Sequence, residues 1–156
     1  MHRTPLKSMS AIVALAASVQ AAGAAGNVST SDAWVQLPMP GTTMTAAYVN
    51  VPNAGDVDDR LLSVSSRWAG SVEIHEMRTG DDGMMGMREL IYGVRIPAGE
   101  TTGLTPSTTH LMLLNFRRRL VAGQNVPIQF HFLRAGTLTV SVPVRATGMP
   151  PASHHH

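Results

Sequence analysis

The chain of 156 residues contains no cysteine, few aromatic residues (4%) and few charged residues (14%). Without cysteine there are no disulfides, no thiolate nucleophile and no thiolate metal ligand, which excludes a blue-copper electron-transfer centre. No apolar run is long enough to span a bilayer. The apolar share of 44% is nevertheless typical of a packed globular domain, and the length fits a single domain without repeats.

The charge balance gives little reason to expect a charged partner. The whole chain carries 12 basic and 10 acidic residues. Arg3 and Lys7 lie in a predicted signal peptide, and without them the two signs are equal in number. A neutral domain lacks the electrostatic attraction that nucleic acids and anionic membranes require. We therefore expect no nucleic acid partner and no membrane insertion of the mature domain.

The first residues have the organisation of a secretory signal peptide. Arg3 and Lys7 precede an apolar segment at residues 11–19, and small residues follow it. We expect residues 1–24 to be removed on export to the periplasm and residues 25–146 to form the mature domain. Residues 147–156, rich in proline and ending in three histidines, are expected to be a disordered tail. Export permits disulfides, so the absence of cysteine leaves methionine as the soft sulfur donor.

Apolar and polar residues alternate along most of the predicted domain, which favours β-strands. The predicted strands are residues 33–36, 44–51, 60–65, 71–77, 94–96, 110–116, 128–132 and 138–144. Clusters of glycine, proline, asparagine and aspartate separate them. Many short strands with regular turns predict an all-β fold, either a β-sandwich or a Greek-key barrel.

Histidine and methionine recur together on predicted strands. Because side chains alternate along a strand, His75 and Met77 share one face, and so do His110 and Met112. Between them lies the methionine cluster, residues 84–87 (MMGM), which we expect to lie in a glycine-rich turn. Thioethers bind Cu(I) far better than Zn²⁺, Ca²⁺ or Mg²⁺. The sequence therefore predicts a Cu(I) site with two imidazoles and at least two thioethers.

From about residue 33 to residue 144, the chain resembles the PCuAC family of periplasmic copper chaperones. The matching motifs are residues 33–35, 38–41, 46–48, 59–61, 72–77, 82–88, 96–99, 110–113 and 123–127. The resemblance implies a cupredoxin-like Greek-key β-sandwich that carries copper and is not an enzyme. It also implies delivery of copper to an accepting protein, either the copper-site subunit of a respiratory cytochrome oxidase or another copper chaperone.

Carried over by motif position, the resemblance implies four Cu(I) ligands: His75, Met87, His110 and Met112. The gaps on either side of Met87 are each one residue longer than the usual spacing of the family. This leaves Met84 and Met85 as alternatives to Met87. The histidines of the tail leave open a secondary site for Cu(II).

Two further functions compete with that of a copper carrier. A zinc hydrolase built from His75, His110 and Glu76 is disfavoured, because Glu76 is predicted to face away from His75 and catalytic zinc needs three hard or borderline ligands. An exported, metal-free β-sandwich that binds another protein through one face remains as the alternative.

Overall fold

The computed structural model describes residues 27–146, and within this range it contains ten strands and no helix. The strands are β1 (Ser31–Gln36), β2 (Met44–Pro52), β3 (Asp59–Ser65), β4 (Ala69–Thr79), β5 (Met85–Glu89), β6 (Val94–Ile96), β7 (Thr101–Leu104), β8 (Thr109–Phe116), β9 (Asn125–Phe132) and β10 (Gly136–Arg145). The all-β prediction is therefore confirmed. In this range there is accordingly no helix that could cross a membrane. The predicted signal peptide, residues 1–24, and the predicted tail, residues 147–156, lie outside the described residues.

The sheet closes on itself as a barrel. Its strands follow the order β4-β8-β2-β1-β10-β9-β3, and a pairing of β3 with β4, with Val64 opposite Val72, completes the circle. Most neighbours are antiparallel, whereas β1 pairs with β10 and β7 pairs with β8 in parallel. The three short strands β5, β6 and β7 are additions to this circle, and β5 is an edge strand that pairs with β4. The expected sandwich is thus realised as a closed barrel.

Alternation along β4 and β8 separates the core from the outer surface of the barrel. Ile74 of β4 and Leu111 and Leu113 of β8 are buried in the core. Burying each of these side chains contributes about 1.5–3 kcal/mol to folding. Because successive side chains point to opposite faces, the residues next to them, including His75 and His110, lie on the outer face. The packing that forms the core therefore also fixes the face that carries the predicted ligands.

The methionine cluster does not lie in a turn as expected. Only Met84 belongs to the turn between β4 and β5, whereas Met85 and Met87 lie in strand β5. All five residues of β5 are exposed, so the strand shows no alternation of burial from which it could be predicted. It is defined instead by its pairing with β4, in which Thr79 lies opposite Met85 and Met77 opposite Met87. Strands β4 and β5, with the turn between them, therefore form a β-hairpin.

Candidate metal centre

Two histidines face each other across neighbouring strands of the barrel. His75 of β4 lies directly opposite His110 of β8, and their ring centroids are 6.2 Å apart with the planes inclined at 63°. The Nδ1 atoms of both rings are buried, and neither has a hydrogen-bond partner among residues 27–146. A buried polar atom without a partner costs about 1–3 kcal/mol, and a metal ion that binds its lone pair offsets this cost. The pair therefore fits a metal ion held through two imidazole nitrogens.

His110 is the more enclosed of the two histidines, at 5% exposure. Its ring lies 6.4 Å from that of Tyr48, which in turn packs against Trp34 at 4.7 Å. The Tyr48 hydroxyl donates a hydrogen bond of 3.2 Å to Oε1 of Gln36. Burial, followed by the neighbouring charge of His75, lowers the pKa of His110. The neutral imidazole is favoured as a result, and this is the form that binds metals.

A carboxylate fixes the orientation of His75. Nε2 of His75 lies 2.7 Å from Oε2 of Glu73, and both side chains are partly buried. An ionised carboxylate only accepts hydrogen bonds, so the neutral imidazole donates from Nε2 and keeps its lone pair on Nδ1. Nδ1 is the atom that is buried without a partner. Carboxylates that hold metal-binding histidines in this way are common. Glu73 is not among the residues predicted from the sequence, although the spacing Glu-x-His on a strand places both side chains on one face.

Met112 lies on the same outer face as the histidine pair. It follows His110 by two residues on β8, so the two side chains point the same way. Its partner across the strands is Glu73 of β4. Met112 is partly buried. We call each residue pair whose side chains point to this face a rung, so that successive rungs are two residues apart. The thioether is therefore one rung along the sheet from the two imidazoles, within reach of a long and flexible side chain.

Met87 lies on β5, which pairs with β4 on the side away from β8. On β5 it lies opposite Met77, which follows His75 by two residues on β4. Met85 is one rung further away, opposite Thr79, and Met84 precedes the strand. Met87 is therefore nearest in register to the histidines among the three methionines of the cluster. The four predicted ligands share one face over three consecutive rungs, and their role as ligands stays a prediction.

The donors that share a face with the histidine pair favour a soft metal ion. Among residues 27–146, no three His, Asp or Glu side chains are grouped so that they could hold a metal ion. Glu76, the carboxylate considered for a zinc site, instead accepts a hydrogen bond of 3.0 Å from Arg88. Two neutral imidazoles with adjacent thioethers form a soft, uncharged donor set, which suits a monovalent copper ion better than a hard divalent ion.

Comparison with known proteins extends over most of the chain. The family described as LpqE-like lipoproteins matches residues 28–144. Lxx21020 of Leifsonia xyli subsp. xyli, which is named as a lipoprotein, is 38% identical over 134 residues, covering 85% of this chain and 79% of the relative. The match therefore includes every strand except the last residue of β10.

Solved structures share the same fold. The copper-bound PCuAC domain from PmoF2 superposes with a TM-score of 0.66 at 23% identity, covering 78% of this chain and 95% of that domain. The solution structure of the Cu(I) form of DR1885 from Deinococcus radiodurans gives a TM-score of 0.61 at 30% identity, covering 83% of this chain and 85% of that protein. The apo form of DR1885 gives a TM-score of 0.59 at 28% identity, covering 94% of this chain and 96% of that protein.

Proposed function

This chain belongs to the LpqE-like family and to the PCuAC family of copper chaperones, and on that premise we propose that it binds one Cu(I) ion through His75, Met87, His110 and Met112. The observation that carries this proposal is the histidine pair, in which two buried Nδ1 atoms lack partners and the ring centroids are 6.2 Å apart. Met87 and Met112 are the thioethers one rung away on either side.

The donor set suits a carrier rather than a permanent metal centre. Two imidazoles and two thioethers are all neutral, so no ligand charge has to be separated from the ion when it leaves. Glu73 lies just behind His75 and places one negative charge close to a monovalent cation without binding it directly. Exposure of Met87 at 55% leaves one ligand where an acceptor protein can reach it. These features support binding followed by transfer.

We further propose that transfer takes place outside the cytoplasm. The support is the signal-peptide pattern of residues 1–24 and the match to a relative named as a lipoprotein. On this view residues 25–146 form a mature periplasmic domain of the cupredoxin-like Greek-key type. Its acceptor is the copper-site subunit of a cytochrome oxidase or a second copper chaperone, and the protein itself is not an enzyme.

An anaerobic competition titration with a chromogenic Cu(I) chelator tests the proposal. We expect one Cu(I) per chain, and X-ray absorption of the complex should contain both nitrogen and sulfur scattering. The absence of Cu(I) binding at micromolar protein would reject the proposal and leave a metal-free interaction module. Binding with nitrogen scattering alone would reject the thioether ligands but not the histidine pair.

A further inference from the structure

The β4–β5 hairpin exposes an unusual amount of methionine. Met84, Met85 and Met87 are 70%, 63% and 55% exposed. Side chains of this size are normally buried, and an exposed apolar cluster usually marks a binding surface. Exposed methionines add little stability to a hairpin with an exposed edge strand, so packing does not account for the number of methionines here. Their exposed thioether side chains, in contrast, are accessible to a soft ion.

Three of the hairpin thioethers are on one face of the sheet. Met77 and Met87 are directly opposite each other, and Met85 follows on the next rung of β5. The hydroxyl of Thr79 donates a hydrogen bond of 3.3 Å to Sδ of Met85, which fixes the Met85 side chain on this face, over β4. Residues directly opposite each other have Cβ atoms about 4.5–5.5 Å apart, and methionine side chains easily span that distance.

We propose that Met77, Met85 and Met87 form a second, all-thioether site for a monovalent soft metal ion, and that this site shares Met87 with the histidine site. The inference rests on the proposed function, since it makes the hairpin the route by which Cu(I) enters and leaves the histidine pair. His110 encloses one side of the histidine site, whereas Met85 and Met87 are exposed to solvent and Met77 is partly buried. An ion carried by another protein therefore meets the hairpin first.

Sharing Met87 allows the ion to move without being released. The ion exchanges the sulfurs of Met77 and Met85 for the Nδ1 atoms of His75 and His110, one bond at a time, and gains the sulfur of Met112, while the bond to Met87 persists. The oxidation state does not change, and no proton is transferred because the thioethers are neutral and the imidazoles bind in their neutral form. With three donors against four, the all-thioether site is the weaker of the two in this proposal, so the ion moves toward the histidines on loading.

Nuclear magnetic resonance of methionine methyl groups can detect the second site directly. Ag(I), a soft monovalent ion that does not change oxidation state, serves as the probe in chloride-free buffer. We use His75→Ala, which disables the histidine site, and expect Ag(I) to shift the methyl signals of Met77, Met85 and Met87. Adding Met85→Leu should weaken Ag(I) binding by about tenfold, since one of three sulfurs is lost. The control is Met39→Leu, because Met39 is 73% exposed but lies outside the hairpin.

Unchanged methyl signals of Met77 and Met85 in His75→Ala at excess Ag(I) would overturn the inference. A kinetic experiment provides a second test that does not depend on that variant. With the histidine site intact, Met85→Leu should keep the equilibrium affinity for Cu(I) but load more slowly from a chelator, whereas Met39→Leu should load like the wild type. Equal loading rates would also count against a second site. Failure of the wild type to bind Cu(I) at all would instead reject the proposed function.

Discussion

Glu73 and His75 are two residues apart on β4, and a hydrogen bond of 2.7 Å between Oε2 and Nε2 joins their side chains. This bond assigns the proton of the neutral imidazole to Nε2 and leaves Nδ1 for an ion. The same face of β4 thus supplies both a proposed ligand and the group that orients it. Neither the ligand nor its orientation requires a loop, because both residues belong to a regular strand.

Replacing Glu73 by glutamine tests this arrangement. Glu73→Gln removes the charge that holds the His75 ring, and we expect Cu(I) affinity to fall about tenfold, the lower end of losses seen for such partners. Competition titration provides the measurement. Glu76→Gln is the matched control, because Glu76 faces away from the pair and contacts Arg88 instead. Equal Cu(I) affinities of the two variants would show that Glu73 does not support the metal site.

Substitutions in the methionine cluster test which sulfur belongs to the histidine site. Leucine keeps most of the volume of methionine but lacks sulfur, so the fold should hardly change. Met87→Leu should weaken equilibrium Cu(I) binding markedly, whereas Met84→Leu and Met85→Leu should leave it close to that of the wild type. The reason is register, since Met87 is nearest to the pair. If Met85→Leu is instead the variant that weakens Cu(I) binding, Met85 and not Met87 is the ligand.

His110→Ala should lose both Cu(I) affinity and stability. His110 is 5% exposed and packs near Tyr48, so truncation leaves a cavity. We expect a loss of about 1 kcal/mol in the free energy of unfolding, typical of a single substitution. Met112→Ala, at a more exposed position, should lose affinity at a smaller cost in stability. Urea denaturation measures the stability of both variants, and retention of wild-type Cu(I) binding by both would disprove the assigned site.

The lowered pKa of His110 predicts how stability depends on pH. Below the unfolded value of about 6.5, the unfolded chain takes up a proton that the folded chain resists. The apo protein should therefore lose stability as pH falls from about 6.5 through the lowered pKa of the folded state. Urea denaturation at several pH values should show this slope, and His110→Gln should flatten it. A slope unchanged in that variant would assign the effect to other groups.

Cu(I) binding should depend on pH because protons compete with copper for imidazole nitrogen. Affinity is expected to be flat above neutrality and to fall below about pH 6. The slope should approach about two protons per ion if both histidines are ligands, and His75→Met should reduce it to about one. Thioethers do not titrate, so affinity that persists unchanged to about pH 4.5 would point to a methionine-only site.

The pairing of β3 with β6 can be tested through Gly93. Its φ of +76° favours glycine, and a Cβ there would collide with the carbonyl oxygen of Leu61. Gly41 also has a positive φ, of +81°, but no atom lies near the place of its Cβ. Gly41→Ala should therefore cost about 1–2 kcal/mol of stability from backbone strain alone. Gly93→Ala should cost clearly more, and equal thermal unfolding temperatures would refute the collision.

Eight of the ten strands were readable from the sequence, because burial of one face gives a regular alternation. Strand β5 was missed since both of its faces are exposed, and β7 since its four residues, TTGL, show no alternation and include glycine. The closure of the barrel through Val64 and Val72 was not readable either. A pairing between distant strands depends on their relative positions, which local pattern does not contain.

The faces of the proposed ligands were readable from the sequence, but their environment was not. Alternation on β4 and β8 places His75 and His110 outward, as their spacing along the strands predicts. The ring of His110 lies near Tyr48, which packs against Trp34, and both of these residues lie on other strands that only the barrel brings near. The direct opposition of the two histidines likewise follows from the register of β4 with β8, which no motif encodes.

The register of β4 with β8 has a consequence for turnover of the carrier. Seven pairs of residues, from Ala69 opposite Phe116 to Glu76 opposite Thr109, align these strands on both sides of the histidine rung. The spacing of the two rings is therefore set when the barrel folds, and the entropic cost of preorganising them does not recur at each binding event. On the proposed function, empty and loaded protein would share one backbone, and binding and release of copper would require side-chain rotations but no refolding.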